Sequence, residues 1–91
     1  GETEEFLEVL ELLAQLAGER DRLDHAAILY KEIVDARGTL YGEDHPGVAQ
    51  ALLWHATALS RSGQAEAAEA PLERAFAMLE RQFANDPSSL A

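Results

Sequence analysis

Three histidines, His25, His45 and His55, are the side chains of this chain best suited to ligating a metal or moving a proton. Their spacing argues against both. Two imidazoles on one helix reach a shared metal when they lie four residues apart, and here the intervals are 20 and 10 residues. No Ser/His/Asp order, glycine-rich phosphate loop or paired-carboxylate pocket is discernible. With no cysteine, the chain has no thiolate nucleophile, thiolate metal site or disulfide. The sequence therefore predicts no enzyme, no metal and no cofactor. His45 reads as a turn residue. His55 falls on an apolar helix face, where an imidazole needs a hydrogen-bond partner and tends to stay neutral.

The remaining chemistry is recognition. Trp54 is the single tryptophan, and an indole on a groove buries a large area at low entropic cost, although packing between neighbouring helices is the competing expectation. Glu2, Glu4, Glu5, Glu8 and Glu11 form an acidic run that reads either as a solvated helix face or as an attractor of basic peptides. The net charge of −10 disfavours nucleic acid and anionic membrane surfaces as partners. Residues 1–45 carry 12 acids against 4 bases and residues 46–91 carry 5 against 3, so any strong acidic patch belongs to the first half.

These residues must be positioned by helices, because the apolar pattern has a helical period throughout. Phe6, Leu10, Leu13 and Ala17, widened by Val9, Leu12 and Leu16, predict a helix over about 4–17 that stops near Gly18. With Asp21 as N-cap, Leu23, Ala26, Ala27, Tyr30, Ile33 and Val34 predict a second, ending at Gly42. Asp44 or His45 then caps a third, with Pro46 in its first turn and Val48, Leu52, His55 and Leu59 on one face. After Ser62-Gly63, a fourth carries Ala65, Ala68, Leu72, Ala75, Phe76, Leu79 and Phe83, with Pro71 inside its start as a bending point. No segment reaches the roughly 18 apolar residues of a membrane span. No secretory leader pattern is present, the chain reads as an excised piece, and a cytoplasmic location is the expectation.

The four helices are two copies of one unit. At a shift of 42 residues, Leu10/Leu52, Ala14/Ala56, Ala26/Ala68 and Asp44/Asp86 are identical, and Tyr30/Leu72 and Tyr41/Phe83 are similar in kind. A period of this order marks stacked repeats, each needing its neighbour to bury an apolar face. The spacing of Leu52, His55-Ala56, Leu59, Ala68, Leu72 and Ala75 resembles the tetratricopeptide repeat. Leu40 to Ala49 resembles the junction of the kinesin-light-chain type, with its leucine-glycine-acid-His-Pro-x-Val-Ala run. Three positions depart from that type: Leu53-Trp54 and Glu11-Leu12 stand where Asn-Asn is common, His55 replaces a leucine, and Pro71 lies one place late.

The resemblance implies an all-α solenoid, a right-handed stack of two antiparallel helix pairs (about 4–45 and 46–87), with residues 88–91 starting a third unit. It also implies a protein-interaction scaffold whose concave face takes a peptide or partner protein. That face would present Glu8, Glu11, Leu12, Gln15 and Glu19 from the first copy and Gln50, Leu53, Trp54, Thr57 and Arg61 from the second. With Arg61 its one base, it suits a basic and apolar peptide and not a C-terminal carboxylate, which requires several charge-assisted donors. The alternative is self-association through the repeat ends: Phe76, Met78, Leu79 and Phe83 form an edge expected to pair with a second copy as a homodimer.

Overall fold

A computed structural model describes residues 1–84 of the chain. Among these residues there are four helices and no strand: α1 (Glu2–Glu19), α2 (Leu23–Tyr41), α3 (Pro46–Arg61) and α4 (Ala65–Ala84). Each helix packs on its neighbour in the chain, which is the arrangement of an all-α helical-repeat solenoid. No helix among the described residues is long and apolar enough to cross a membrane. The cap-then-proline signal at Asn85 to Pro87 lies outside the described residues.

The turns repeat with the same period as the sequence. α1 is closed by Asp21 at φ 57° and α3 by Gly63 at φ 88°, residues 42 positions apart. Arg22 N–H donates to the Ala17 carbonyl and Gln64 N–H to the Leu59 carbonyl, both at 2.8 Å, so the two turns satisfy equivalent orphan helix carbonyls. Asp21 therefore does not cap α2. It is one of the few residue types that adopt the left-handed conformation at low cost, and the N-cap of α2 is Arg22, which makes no side-chain cap hydrogen bond. Between the pairs, Gly42 ends α2 at φ 98°, Pro46 opens α3, and His45 Nδ1 accepts from Gly47 N–H at 2.9 Å. Asp44 is not the cap; it binds Arg81 at 3.0 Å and, through its carbonyl, Gln82 at 2.9 Å, fastening the junction to the end of α4.

The core is built on alanine. Ala14, Ala26, Ala56 and Ala68, the two pairs identical at the 42-residue shift, are all buried, as are Ala49, Ala51, Ala58 and Ala75. Small side chains let the helix axes approach, and Ile33, Val34 and Val48 fill the space between. In α1 the buried set is Leu7, Leu10, Ala14 and Ala17, leaving Phe6 and Leu13 exposed together with Val9, Leu12 and Leu16. α4 buries Ala68, Ala75 and Met78, while Leu72, Phe76 and Phe83 stand in solvent. Its helix runs through Pro71 unbroken. The Ala67 carbonyl that loses a donor there lies on an exposed residue, where water can serve it.

Candidate functional site

Trp54 sits on α3 with its ring centroid 5.8 Å from that of Tyr30 on α2, tilted by 47°. It is 37% exposed, so the indole is both a packing residue between the helix pairs and an accessible surface. Glu11 and Gln15, one turn apart on α1, complete a recess of about 240 Å³ with Tyr30 and Trp54. That volume is below the roughly 300–1,000 Å³ of small-molecule pockets and suits a single side chain.

Arg37 on α2 holds these elements together. Its guanidinium carbon lies 5.1 Å from the Trp54 ring centroid. One terminal nitrogen donates to the Gly47 carbonyl at 2.7 Å and to Gln50 Oε1 at 3.2 Å; the other donates to Glu11 Oε1 at 3.0 Å. The Arg37 side chain is only 11% exposed, against 33% for Glu11, so this pair is better shielded than an ordinary surface ion pair. A Cβ at Gly47 would meet His45 Nδ1 at 3.0 Å, so a larger residue there would press on the capping imidazole.

Of the residues that the sequence placed on the concave face, the structure brings Glu11, Gln15, Gln50 and Trp54 into one constellation. Glu8, Leu12, Glu19 and Arg61 are exposed on α1 and α3 without lining the recess. The Thr57 hydroxyl donates to the Leu53 carbonyl at 2.8 Å, within its own helix. Leu53 lines a separate hollow of about 420 Å³ with Leu72, Glu73, Phe76 and Leu79. Within the expected edge, Phe76 and Phe83 are exposed and Leu79 is half-buried, but Met78 is turned into the core at 3% exposure. Met78 is thus not an edge residue, and Leu72 stands on that surface instead.

Sequence reasoning missed Arg37 and Tyr30 as site residues. A signal existed: 42 residues on, Arg37 corresponds to Leu79, so a charge occupies an apolar position of the repeat and must find a partner. Glu11 is that partner, and its own counterpart is Leu53. An ion pair in the first copy therefore stands where the second has two leucines.

His55 is half-buried, and its Nδ1 lies 2.9 Å from the Ala27 carbonyl, which can only accept, so Nδ1 carries the proton. Burial pushes its pKa below the ordinary 6.5; Lys31 adds to this, while the Ala27 bond and Asp35 oppose it. The unfolded chain then binds a proton more readily than the folded one, so stability falls as pH drops below about 6.5. His55→Leu should flatten the loss of melting temperature between about pH 7.5 and about pH 6, before carboxylates titrate. An unchanged slope in the variant would mean that His55 does not carry the effect. Among the described residues, no group of three His, Asp or Glu side chains is placed to hold a metal ion.

The helix pairs, their repeated turns and the small-residue crossings find their counterpart in a family model, that of the tetratricopeptide repeat, which matches residues 5–81. The chain belongs to the tetratricopeptide repeat family. Comparison with the curated proteins and with the solved structures gives no match. Tetratricopeptide repeats generally mediate protein–protein interaction and are not catalytic.

Proposed function

We propose that this tetratricopeptide repeat chain is a scaffold module that binds a basic and apolar peptide segment on the face carrying Trp54. The observation that supports it is the recess itself: a partly open indole set against Tyr30, with Glu11 and Gln15 at its rim. An indole held open in this way offers a hot-spot contact at small ordering cost. The strongly acidic first half supplies long-range attraction for a cationic partner. Two repeats, at about 4–45 and 46–87, and the kinesin-light-chain type are part of the same reading. Its support is the 42-residue period and a junction in which His45 caps and Pro46 opens α3. Trp54 is the only tryptophan, so its fluorescence reports on the site directly. Basic and apolar peptides should shift its emission with an affinity that weakens as salt is raised. Emission unchanged across a set of such peptides would overturn the reading.

A second reading, self-association, is favoured by the hollow between α3 and α4. Its lining residues Leu53, Leu72, Phe76 and Leu79 correspond at the 42-residue shift to Glu11, Tyr30, Val34 and Arg37, the surface on which Gln50 and Trp54 of α3 sit in the first copy. Exposed Phe6, Val9 and Leu16 of α1 correspond in turn to Val48, Ala51 and Ala58, which α3 buries. The outer face of α1 from one chain thus has the character of the helix face that the α4 surface of another would accept, head to tail. Light scattering at micromolar concentration should give a mass above the monomer for the parent and the monomer mass for Phe76→Arg. Monomer mass for both would exclude the edge as an interaction surface.

A further inference from the structure

We infer that the recess between Glu11, Gln15, Tyr30 and Trp54 seats the ammonium end of a lysine side chain, an inference that rests on the peptide-binding reading above. Two of its walls are aromatic rings, whose faces attract a cation, and a third is a carboxylate. Glu11 spends Oε1 on Arg37, leaving Oε2 to accept a second charge-assisted hydrogen bond beside the Gln15 amide oxygen.

The same geometry excludes an anion. Arg37 is the one cation built into the site, and its donors go to Gly47, Gln50 and Glu11 with little of the side chain exposed. The donors that line the recess, on Gln15, Tyr30 and Trp54, are all neutral, and the Glu11 carboxylate beside them repels a carboxylate or phosphate. Nor does Arg37 repel an incoming lysine strongly: Glu11 matches its charge at 3.0 Å, Arg37 does not line the recess, and the flanking charges on α1, Glu8 and Glu19, are both acidic and exposed. The hold of Arg37 on the Trp54 ring and on Glu11 shows these two side chains already acting on a cation within the chain. Lysine fits better than arginine because a compact ammonium with three donors can be satisfied by the acceptors present. A guanidinium brings five donors in a rigid plane to a recess whose acceptors are few.

Nα-acetyl-lysine methylamide, its Nε-acetylated form and sodium acetate, each titrated at matched ionic strength into the nitrogen-15-labelled chain, would test this through the Trp54 indole N–H resonance. The lysine probe should give a saturable shift and the other two none. Gln15→Lys, at an exposed position of α1, should abolish the shift by placing an ammonium in the recess. Glu11→Gln should weaken it about tenfold. An equal response to the Nε-acetylated probe, or a response to acetate alone, would overturn the inference. Short peptides of one apolar sequence with lysine, acetyl-lysine or glutamate at the centre separate it from the broader reading. If all three move the indole equally, peptide binding stands and the lysine seat falls; if neither peptides nor probes move it, both fall.

Discussion

Replacing Arg37 by alanine should lower the unfolding free energy by about 2–3 kcal/mol, more than any other truncation of a charged side chain in this domain. The change removes donors from the Gly47 carbonyl, Gln50 and Glu11 together, and leaves Glu11 half-buried without its counter-charge. It also strips the Trp54 ring of the guanidinium 5.1 Å away, so the emission of the folded protein should move to longer wavelength as water reaches the indole. Arg37→Lys should recover only part of the loss, because one ammonium cannot span acceptors that a planar fork reaches on α1 and α3 at once. The 42-residue match supplies the decisive control. Changing Glu11 and Arg37 together to leucine copies the Leu53 and Leu79 arrangement already present 42 residues later. Removing one partner of a shielded ion pair is costly, whereas replacing both with apolar groups can be neutral or stabilising, so the double variant should be more stable than either single one. If Arg37→Leu alone unfolded at the parental denaturant midpoint, the pair would have no part in joining α1 and α2 to α3.

The parts of this fold legible in the sequence are those fixed by local rules or by repetition. Ala14, Ala26, Ala56 and Ala68 stand out in the sequence because they recur at the period, and all four are buried. Gly42, His45 and Pro46 were legible because stop, cap and first-turn chemistry is written within a few residues. What failed depended on context. Residues 6–17 are apolar on almost every side, so the helical period alone did not decide which stripe faces α2. The core took Leu7 and Ala14 and left Phe6 and Leu13 outside. Asp21 carries two local preferences, capping a helix and adopting the left-handed conformation; the need to close α1 selected the second. The Glu11–Arg37 pair spans 26 residues and two helices, and only comparison of the two copies exposes it.

The same contrast between copies explains why the Trp54 face and the α4 edge differ in character. Where the first copy carries Glu11, Tyr30 and Arg37, α3 is held by a polar network under a packed aromatic pair. Where the second carries Leu53, Leu72 and Leu79, the same register offers a nearly continuous apolar hollow. A polar, geometrically demanding seat selects one partner orientation, while an apolar one contributes area with little selectivity. On the proposed reading, recognition of a charged peptide belongs with the first surface and helix stacking with the second.

Ile33→Ala should have the largest effect of any single substitution considered, a loss of about 2–5 kcal/mol. Ile33 is fully buried on α2, the helix packed against both α1 and α3. The cavity left behind is bordered by alanine-rich helices, whose short side chains cannot swing in to fill it. A domain of this size has roughly 5–10 kcal/mol of stability, so the loss is a large share of the total. Because α2 belongs to the first pair and packs directly on α3 of the second, the variant should unfold in one transition at a lower denaturant midpoint, not as a molten first pair beside an intact second. Ala56→Leu probes the core from α3: adding bulk at a position 1% exposed should cost about 1–3 kcal/mol by forcing α3 away from its neighbours. Phe76→Ala, at 65% exposure on α4, provides the reference and should shift the midpoint of the isolated chain only slightly. Equal midpoint shifts for Ile33→Ala and Phe76→Ala would mean that the core does not run through α2. A large shift for Ala56→Leu with none for Ile33→Ala would restrict the close packing to the crossing around Ala56.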